Sequence, residues 1–533
     1  MRIKLILSFC ILSFLFPDTA WKGGLRENLP SVWALKNGNI FIEPGKSINK
    51  ATIIIRDGFI ENVGKNIKIP SDATEIDLLG KTVYAGFIDS WLEQEVDTEY
   101  NSHQAYWNKK VRASQKVSDH FDPLTKKINS LQKLGFTTAH LVPDSGIFQG
   151  YSSLVQLNRE GTIIDENIGQ NLAYEVDGWR SDNYPNSLLG VIALMRQTLI
   201  DAFWYNDAKL IINKYPKSNL LVEENKDLYS LGSSMNQRLP FIFRTNHELQ
   251  ALRSISIANE FDLNRWIRGS GYEYRRVKEI SKGINFIILP LDFPGTPDLT
   301  DPYHSLGFNN AELKHWDMAP DNPVVLLNNS ISFAFTSYGL KVKEFRKNLN
   351  KVISRGLSKK NALASLTTIP AEKMGKSNLL GQINKGYLAN LTIVEGDYFN
   401  SESVVHSIWI SGVEYPVKPS YLVDIDGRWD FKIKNIKYEL LFNKKKSTYT
   451  GKIIKDSVEY NLSKIKLDGR YIRWQVSLDS NLAPFQFIGH ILNDRIEGKN
   501  HGTGDNWEAV KTKSLEKDLG SIKIENVSNM DVF

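Results

Sequence analysis

Cysteine is almost absent from the sequence, and histidine is scarce. The 533 residues include one cysteine, Cys10, and nine histidines. Cys10 lies in the leader described below, so the predicted mature chain has no thiol, which excludes disulfides and cysteine-ligated metal sites. The histidines form neither a His-x-His nor a His-Glu-x-x-His pair. The spacings by which two nearby histidines commonly share one metal ion are therefore missing.

The composition also lacks a strong charge imbalance. Lysine and arginine number 66 against 60 aspartates and glutamates, a formal charge of +6, and the basic residues are scattered. Nucleic-acid-binding proteins concentrate basic residues in a patch or stripe, so we expect no nucleic-acid partner. We also expect no transmembrane segment in the mature chain. Transmembrane helices need about 20 predominantly apolar residues, and we identify no stretch after the leader that reaches this length.

The first twenty residues have the pattern of a secretory signal. Arg2 and Lys4 precede an apolar run over residues 5–16, and residues 17–20 end in Thr19-Ala20. This run is too short to span a bilayer as a mature helix. We predict a signal peptide over residues 1–20 and export to a periplasm or beyond the cell.

Two different periodicities follow the leader. Residues 30–86 alternate apolar and polar positions, and Asp57-Gly58 is the centre of a predicted β-hairpin over 51–64. The run 83–88 has the length of one buried strand. Residues 87–375 alternate short apolar strands with amphipathic helices, one of which is predicted to begin at Pro185. This alternation is typical of parallel βαβ units closed into a barrel.

The helical pattern ends near residue 420. Alternating strands follow, with turns about every ten residues; the clearest strands are 427–434, 449–454, 471–476 and 485–491. This spacing predicts a separate antiparallel sandwich or small barrel over residues 420–512, similar in pattern to a lipocalin. Residues 513–533 are charged and are predicted to form a tail.

The stretch 82–93, Thr-Val-Tyr-Ala-Gly-Phe-Ile-Asp-Ser-Trp-Leu-Glu, resembles the opening of the amidohydrolase superfamily. Further stretches resemble its second barrel unit, last barrel strand, late helix and returning strands; these are 131–139, 332–341, 362–375 and 381–394. Within the superfamily they are similar to imidazolonepropionase-like amidohydrolases. The activity of that family is the hydrolysis of non-peptide C–N bonds, including those of cyclic amides, with a divalent metal such as zinc.

This resemblance implies an α/β protein with a (β/α)8 TIM-like barrel and a composite β-sandwich domain from both flanks of the barrel. The C-terminal antiparallel β module is additional. We therefore predict a signal peptide at 1–20, a composite domain from 21–86 and 376–416, a barrel at 87–375, a β module at 420–512 and a tail at 513–533.

The metal ligands that the resemblance implies are missing. Where the family has His-x-His after the Gly-Phe-Ile-Asp run, this chain has Trp91 and Glu93. Tyr338 replaces the metal-binding aspartate after the last barrel strand, and Arg244 and Arg268 stand near the ligand positions of strands five and six. A neutral phenol is a poor ligand, and arginine carries a fixed positive charge. We therefore predict no metal cofactor.

Other residues at the barrel mouth could still form a site. A rebuilt metal site would use Glu93, His247 and Asp292, whereas the competing interpretation places His247 at the start of the next helix and treats strand-end carboxylates as helix caps. His140, inside a strand, is interpreted as a satisfied core histidine. A set suited to an acidic or aromatic small-molecule ligand is Trp91, Arg244, Arg268 and Tyr338. The competing interpretation of this set is that bulky residues fill a vacated metal site.

Two functional hypotheses remain open at this point. In the first, the chain is an exported amidohydrolase relative that has lost turnover and serves as a binding or partner subunit. Some relatives carry a barrel that resembles this one, fused ahead of a second amidohydrolase barrel whose metal ligands are intact. The expected partner is therefore a separately encoded, metal-bearing amidohydrolase. In the second, the chain is an active hydrolase of C–N bonds with a remodelled site.

Overall fold

The computed structural model describes residues 32–96, 104–176, 183–216, 221–297, 300, 307–417, 425–434, 436–445, 448–456, 458–468, 471–477, 484–492, 494–500 and 503–513. The predicted signal peptide with Cys10, and all but the first residue of the predicted tail, lie outside these described residues.

One eight-stranded sheet takes its strands from both sides of the central part of the chain. The strands are β1 (Val32–Glu43), β2 (Lys46–Arg56), β3 (Phe59–Gly64), β4 (Thr74–Asp77), β5 (Thr82–Ala85), β14 (Leu391–Glu395), β15 (Val404–Ile410) and β16 (Val413–Pro416). Their order is β16-β15-β14-β5-β1-β2-β3, and β4 pairs with β1. The hairpin predicted at Asp57-Gly58 is confirmed, because β2 and β3 pair antiparallel. Both turn residues have positive φ, 50° and 83°, as a type I′ turn requires.

The single strand predicted over 83–88 is wrong, because the chain passes there from one sheet to another. β5 belongs to the first sheet, and β6 (Phe87–Gln94) begins the second. Gly86 lies between them against Thr137, where a Cβ would approach the threonine Oγ1 to 2.2 Å. A residue without a side chain is therefore required where the two sheets join.

The second eight-stranded sheet has its strands in chain order. After β6 they are β7 (Phe136–Pro143), β8 (Phe148–Gln156), β9 (Ile163–Ala173), β10 (Phe241–Arg244), β11 (Arg265–Arg268), β12 (Phe286–Pro290) and β13 (Ser332–Thr336). The pairs β6–β7 and β9 to β13 are parallel, as predicted. β8 is antiparallel to both β7 and β9. The prediction of parallel βαβ units throughout is therefore wrong at β8, where short connections replace helical crossovers.

The first and last strands of this sheet lie beside each other. The Thr336 hydroxyl donates a hydrogen bond of 3.0 Å to the carbonyl of Trp91. The fully buried Asp89 carboxylate accepts hydrogen bonds from the backbone N–H of Ser337, at 3.3 Å, and from the Ser337 hydroxyl. The same carboxylate accepts from the backbone N–H of Trp91 at 3.1 Å. Asp89 therefore joins β6 to the residues that follow β13 and brings the sheet close to closure.

Helices connect many of these strands. The α-helices are α1 (Lys126–Lys133), α2 (Leu188–Lys214), α3 (Lys226–Asn236), α4 (Glu248–Glu260), α5 (Val277–Ile280), α6 (Asn310–Met318), α7 (Asn322–Asn328), α8 (Val342–Ser354), α9 (Lys359–Ala364) and α10 (Thr368–Lys373). Short 3₁₀ turns are Val117–His120, Glu273–Arg276 and Ala319–Asp321. The helix predicted to begin at Pro185 begins instead at Leu188, where the Ser187 hydroxyl accepts the N–H of Gly190 as the cap.

By length and composition alone, α2 could cross a membrane, a possibility that the sequence expectation overlooked. It has 27 residues, a mean hydropathy of 1.2 in its most apolar window, and 39% of that window buried. One face packs on a core of the protein that includes Val191, Leu194, Met195 and Leu199. Core helices of soluble proteins meet the same test, so this finding is weak evidence for a membrane span.

The antiparallel β module predicted at the C-terminus is confirmed, and it is a closed eight-stranded barrel. Its strands are β17 (Gly427–Ile433), β18 (Ile436–Lys445), β19 (Thr448–Lys455), β20 (Val458–Asp468), β21 (Tyr471–Val476), β22 (Phe485–Leu492), β23 (Arg495–Asn500) and β24 (Asn506–Lys513). β24 closes the barrel by pairing antiparallel with β17. Aromatic side chains dominate the barrel core, including Trp429, Phe431, Trp474, Phe487 and Trp507.

Candidate functional site

Five of the predicted site residues lie at or just after the carboxyl ends of strands in the second sheet. Trp91 and Glu93 are on β6, Arg244 ends β10, Arg268 ends β11, and Tyr338 follows β13 by two residues. The carboxyl ends of parallel strands meet at one edge of a barrel, where its loops form a site. The structure brings these five side chains into one connected group, which we call the mouth cluster.

Trp91, at the first predicted ligand position, points inward and is only 1% exposed. Its indole Nε1 donates a 3.1 Å hydrogen bond to Oε1 of Glu93. The ring packs in the apolar core inside the sheet together with Ile242, Trp266 and Phe286. The indole therefore fills space deep in the mouth, and its one polar group is already satisfied.

Glu93, at the second predicted ligand position, is held in an ion pair. Nη1 of Arg244 lies 3.1 Å from the Glu93 Oε1 atom that also accepts from Trp91. The same Arg244 nitrogen donates to the backbone carbonyl of Asp144 at 3.2 Å. The two paired side chains are 18% and 27% exposed, which limits screening by water. The carboxylate that could have bound a metal is thus committed to an arginine.

Arg268, the second arginine of the mouth cluster, is 6% exposed. Its guanidinium carbon is 4.8 Å from the ring centre of Tyr338 and 5.8 Å from that of Trp91, both within cation–π range. Nη1 donates to the Gly269 carbonyl at 3.1 Å, and the buried Nε has no hydrogen-bond partner among the described residues. Burial lowers the pKa of Arg268 from its usual value. An arginine nevertheless stays charged at neutral pH, so a positive charge remains in the mouth.

The structure does not join the remaining candidates into a metal site. His247 is the N-cap residue of α4 and makes no side-chain cap hydrogen bond, so the competing interpretation of its position is correct. Asp292 follows β12 and lies against Gly339. Its pKa is raised, mainly by partial burial and to a smaller extent by the negative charge of Glu344. Among the residues that the structure describes, no three His, Cys, Asp or Glu side chains form a group that could hold a metal ion. Glu93, His247 and Asp292 are all described residues.

His140 belongs to the surroundings of the site, although the sequence interpretation set it apart. It is fully buried on β7, and its ring centre lies 6.4 Å from that of Trp91 and 6.5 Å from that of Trp266. Nδ1 is 3.0 Å from the Ser90 carbonyl, whereas Nε2 has no hydrogen-bond partner among the described residues. Burial lowers the pKa of His140 to about 4. The expectation of a satisfied core histidine therefore holds for one ring nitrogen only.

These residues do not fit a divalent metal. Zinc is bound by histidine, cysteine and carboxylate groups, and the mouth cluster supplies one carboxylate, which an arginine and an indole N–H already occupy. Two guanidinium groups stand where the resemblance implies ligands, and like charge disfavours a cation. No step through a metal can be derived from this arrangement. The chemistry available to the mouth cluster is hydrogen bonding, ion pairing and cation–π contact.

Comparison with known proteins supports the fold and goes no further. No protein-family model matches the chain, and no curated protein matches it either. Among solved structures, an amidohydrolase from Thermotoga maritima MSB8 aligns with a TM-score of 0.60 and 22% sequence identity, covering 72% of this chain and 99% of that one. A second amidohydrolase aligns at 0.44 with 14% identity, over 72% and 99% of the two chains. A Xaa-Pro dipeptidase with methionine bound in its active site aligns at 0.40 with 14% identity, over 72% and 100%.

The first of these structures confirms the fold inferred from the resemblance at the level of a mixed α/β body with a β domain. Over 72% of its length the chain has the same fold as that amidohydrolase. The antiparallel eight-stranded barrel at the C-terminus is described for this chain by its own sheet topology. At 22% identity the likeness concerns the fold and not the activity.

Proposed function

We propose that this chain is an exported amidohydrolase-fold protein that has lost metal-dependent hydrolysis and acts as a binding or partner subunit. One observation carries the proposal: the Glu93 carboxylate is engaged by both Arg244 and Trp91, so the strand that would supply the first two ligands offers none. We also interpret the second sheet as a (β/α)8 barrel in which the antiparallel β8 replaces the third parallel unit.

The electrostatics of the mouth cluster support the loss of metal. Glu93 neutralises Arg244, but Arg268 is buried beside neutral aromatic rings. A divalent ion entering this site would displace an ion pair and approach a buried guanidinium, and both changes cost electrostatic free energy. Removing water strengthens the repulsion further, because buried charges are poorly screened.

Because the mouth cluster is largely buried, its side chains are better suited to filling the mouth than to binding a ligand directly. Trp91 and Arg268 are 1% and 6% exposed, so neither can contact a small molecule unless the cluster moves. Arg244 is 27% exposed and remains the cation that an acidic ligand could reach from solvent. A small acidic or aromatic ligand would therefore bind at the rim of the mouth, through Arg244 and the partly exposed Tyr338.

Export and partnership belong to the same proposal. The charged and apolar pattern of residues 1–20 supports secretion to a periplasm or beyond the cell. A barrel that lacks metal ligands but keeps its fold could still bind a separate, metal-bearing amidohydrolase as a partner subunit. The alternative function is hydrolysis of C–N bonds through a remodelled site, which the next measurement distinguishes.

The decisive experiment is the metal content of the mature chain, residues 21–533, purified without a His tag or chelator. Plasma mass spectrometry is expected to find zinc, manganese and iron well below one equivalent, with no increase after zinc is added and the excess removed. Near-stoichiometric metal would overturn the proposal. In that case the Glu93→Ala and His247→Ala variants would test the rebuilt ligand set, each by loss of bound metal.

A further inference from the structure

The long helix α2 is apolar on two opposite faces, and one of them is open to solvent. Its inner face is buried in the core of the protein. On the outer face, Ile200, Phe203, Trp204, Leu210 and Ile211 are between 41% and 62% exposed. Large apolar side chains that are exposed together on one face commonly mark a surface that binds a partner. The outer face of α2 therefore calls for a covering partner.

The exposed apolar residues lie along one side of the helix. At 100° per residue, the positions 189, 193, 200, 203, 204, 210 and 211 fall within one side of the helix. We call this set the α2 stripe: Leu189, Ala193, Ile200, Phe203, Trp204, Leu210 and Ile211. Arg196 and the exposed Asp207 lie along the same side. An exposed apolar surface of this size that includes few charges marks an interaction site.

We propose that the α2 stripe forms an isologous dimer interface, in which α2 of one copy packs antiparallel against α2 of a second copy. A two-fold interface uses the same patch on both subunits, so the patch must complement itself. If the helices cross between Ile200 and Phe203, near the middle of α2, Arg196 of each copy lies opposite Asp207 of the other. Ala193, the small residue of the stripe, then lies opposite Leu210.

The charges near the stripe fit this arrangement. Arg196 pairs with Glu260 through Nε and Nη2, at 2.7 and 2.8 Å. The Nη1 hydrogens point away from that carboxylate and can serve a second one, which the crossing supplies as Asp207 of the other copy. The two antiparallel helix dipoles also attract each other in this orientation.

The area of the stripe is of the right size for a second copy. Its exposed side chains offer on the order of 600 Å² of apolar surface, taking about 150–250 Å² for a whole aromatic side chain. A standard interface buries roughly 800 Å² on each partner, so the stripe provides most of one side. A lipid surface fits less well, because Asp207 would carry its charge into the apolar layer. This inference does not depend on the proposed function.

The absence of cysteine from residues 21–533 makes a direct test available, because an introduced cysteine is unique. In the antiparallel pair, residue 200 lies close to its own symmetry mate, so Ile200→Cys is expected to form a disulfide-linked dimer under mild oxidant. Leu189→Cys lies at one end of α2, and the two copies of residue 189 would be about 37 Å apart along the axis at 1.5 Å per residue. Leu189→Cys is expected to stay unlinked.

Sedimentation velocity of the mature chain supplies the second readout. The wild type is expected to be a dimer at micromolar concentration, and Ile200→Glu should weaken the dimer roughly tenfold or more by burying a charge in the interface. Leu124→Glu is the matched control, because Leu124 is also exposed, at 72%, but lies before α1. It should leave the dimer unchanged.

Several results would overturn the proposal. A wild type that sediments as a monomer at tens of micromolar would do so. Equal crosslinking of the two cysteine variants would exclude the antiparallel pairing. A monomer that binds phosphatidylglycerol vesicles, and loses that binding in Ile200→Glu, would assign the stripe to a membrane surface instead.

Discussion

His140 is predicted to make the folded protein sensitive to mild acid. The Ser90 carbonyl can only accept a hydrogen bond, so in the neutral ring Nδ1 carries the proton and Nε2 carries none. Nε2 is buried without a partner among the described residues. Protonating Nε2 would place a charge and a donor in an apolar core. Burial accordingly lowers the pKa of His140 from 6.5 to about 4.

The sign and size of the effect follow from that difference. The folded pKa lies below the unfolded one, so the contribution of His140 to stability is fully present above pH 6.5 and is lost as the pH falls towards 4. Since 1.36 kcal/mol corresponds to one pKa unit, the loss reaches about 2 kcal/mol at pH 5 and about 3 kcal/mol in full. His315, whose pKa burial and Arg275 also lower to about 4, adds a loss in the same direction.

The assay compares wild type with His140→Asn, whose side-chain N–H can replace Nδ1 as the donor to Ser90. Urea unfolding at pH 7.5 and pH 5.0 gives the free energy of unfolding at each pH. Hydrogen exchange of peptides covering β7 shows whether this region follows the transition, which matters because two-state unfolding is typical only of domains much shorter than this chain. The drop between the two pH values should be about 2 kcal/mol smaller in the variant.

An equal drop in wild type and His140→Asn would refute the reasoning. Exchange of the histidine C2 hydrogen, measured by mass spectrometry, gives the pKa of His140 directly. A value near 6.5 would refute it independently, because the buried ring would then bear a proton without penalty. His315→Asn is the matched control for additivity, since its effect should add to that of His140→Asn.

Three further predictions concern packing and pairing. In a double-mutant cycle measured by urea unfolding, Glu93→Gln and Arg244→Met should couple by about 1–2 kcal/mol, between the values for exposed and buried pairs; additive effects would show that the ion pair contributes nothing. His247→Asn should raise thermal stability by about 0.5–1 kcal/mol, because asparagine supplies the missing cap acceptor; a loss would reveal another role for His247. Gly498→Ala should destabilise the C-terminal barrel by about 2–3 kcal/mol, measured by near-ultraviolet circular dichroism, because its Cβ would come within 2.0 Å of the Ile488 carbonyl oxygen. Gly295→Ala, where nothing lies within 4 Å of the Cβ, is the control and should change stability by less than about 0.5 kcal/mol.

Local patterns predicted the elements whose signals are local. The Asp57-Gly58 turn and the strands of the C-terminal barrel were predicted because a turn dipeptide and an alternation of apolar and polar residues each act within about ten residues. The division at Gly86 was missed, because its cause is Thr137 on a neighbouring strand. No pattern within 83–88 reveals that two sheets meet there.

The same limit applies to the mouth cluster. The resemblance identified Trp91, Glu93, Arg244, Arg268 and Tyr338 as the residues at the ligand positions, and the structure places them together. Sequence could not show that Glu93 and Arg244 pair across 151 positions, or that Arg268 lies between two rings. His140 lacked a signal of its own, because a histidine within an apolar strand gives no indication of an unsatisfied nitrogen.

If the mouth cluster binds no metal, as proposed, its own contacts must hold this part of the second sheet together. In a metal site, carboxylates and histidines converge and are held together by the cation. Here the single converging carboxylate is matched by Arg244, and Trp91 fills the space above the apolar core. Burial raises the pKa of Asp89. Its carboxylate accepts hydrogen bonds from the backbone N–H groups of Trp91 on β6 and Ser337 after β13, and so joins the first strand of the sheet to the last. Under the proposed loss of metal, these contacts hold the mouth together, and a divalent ion entering it would have to break the Glu93–Arg244 pair.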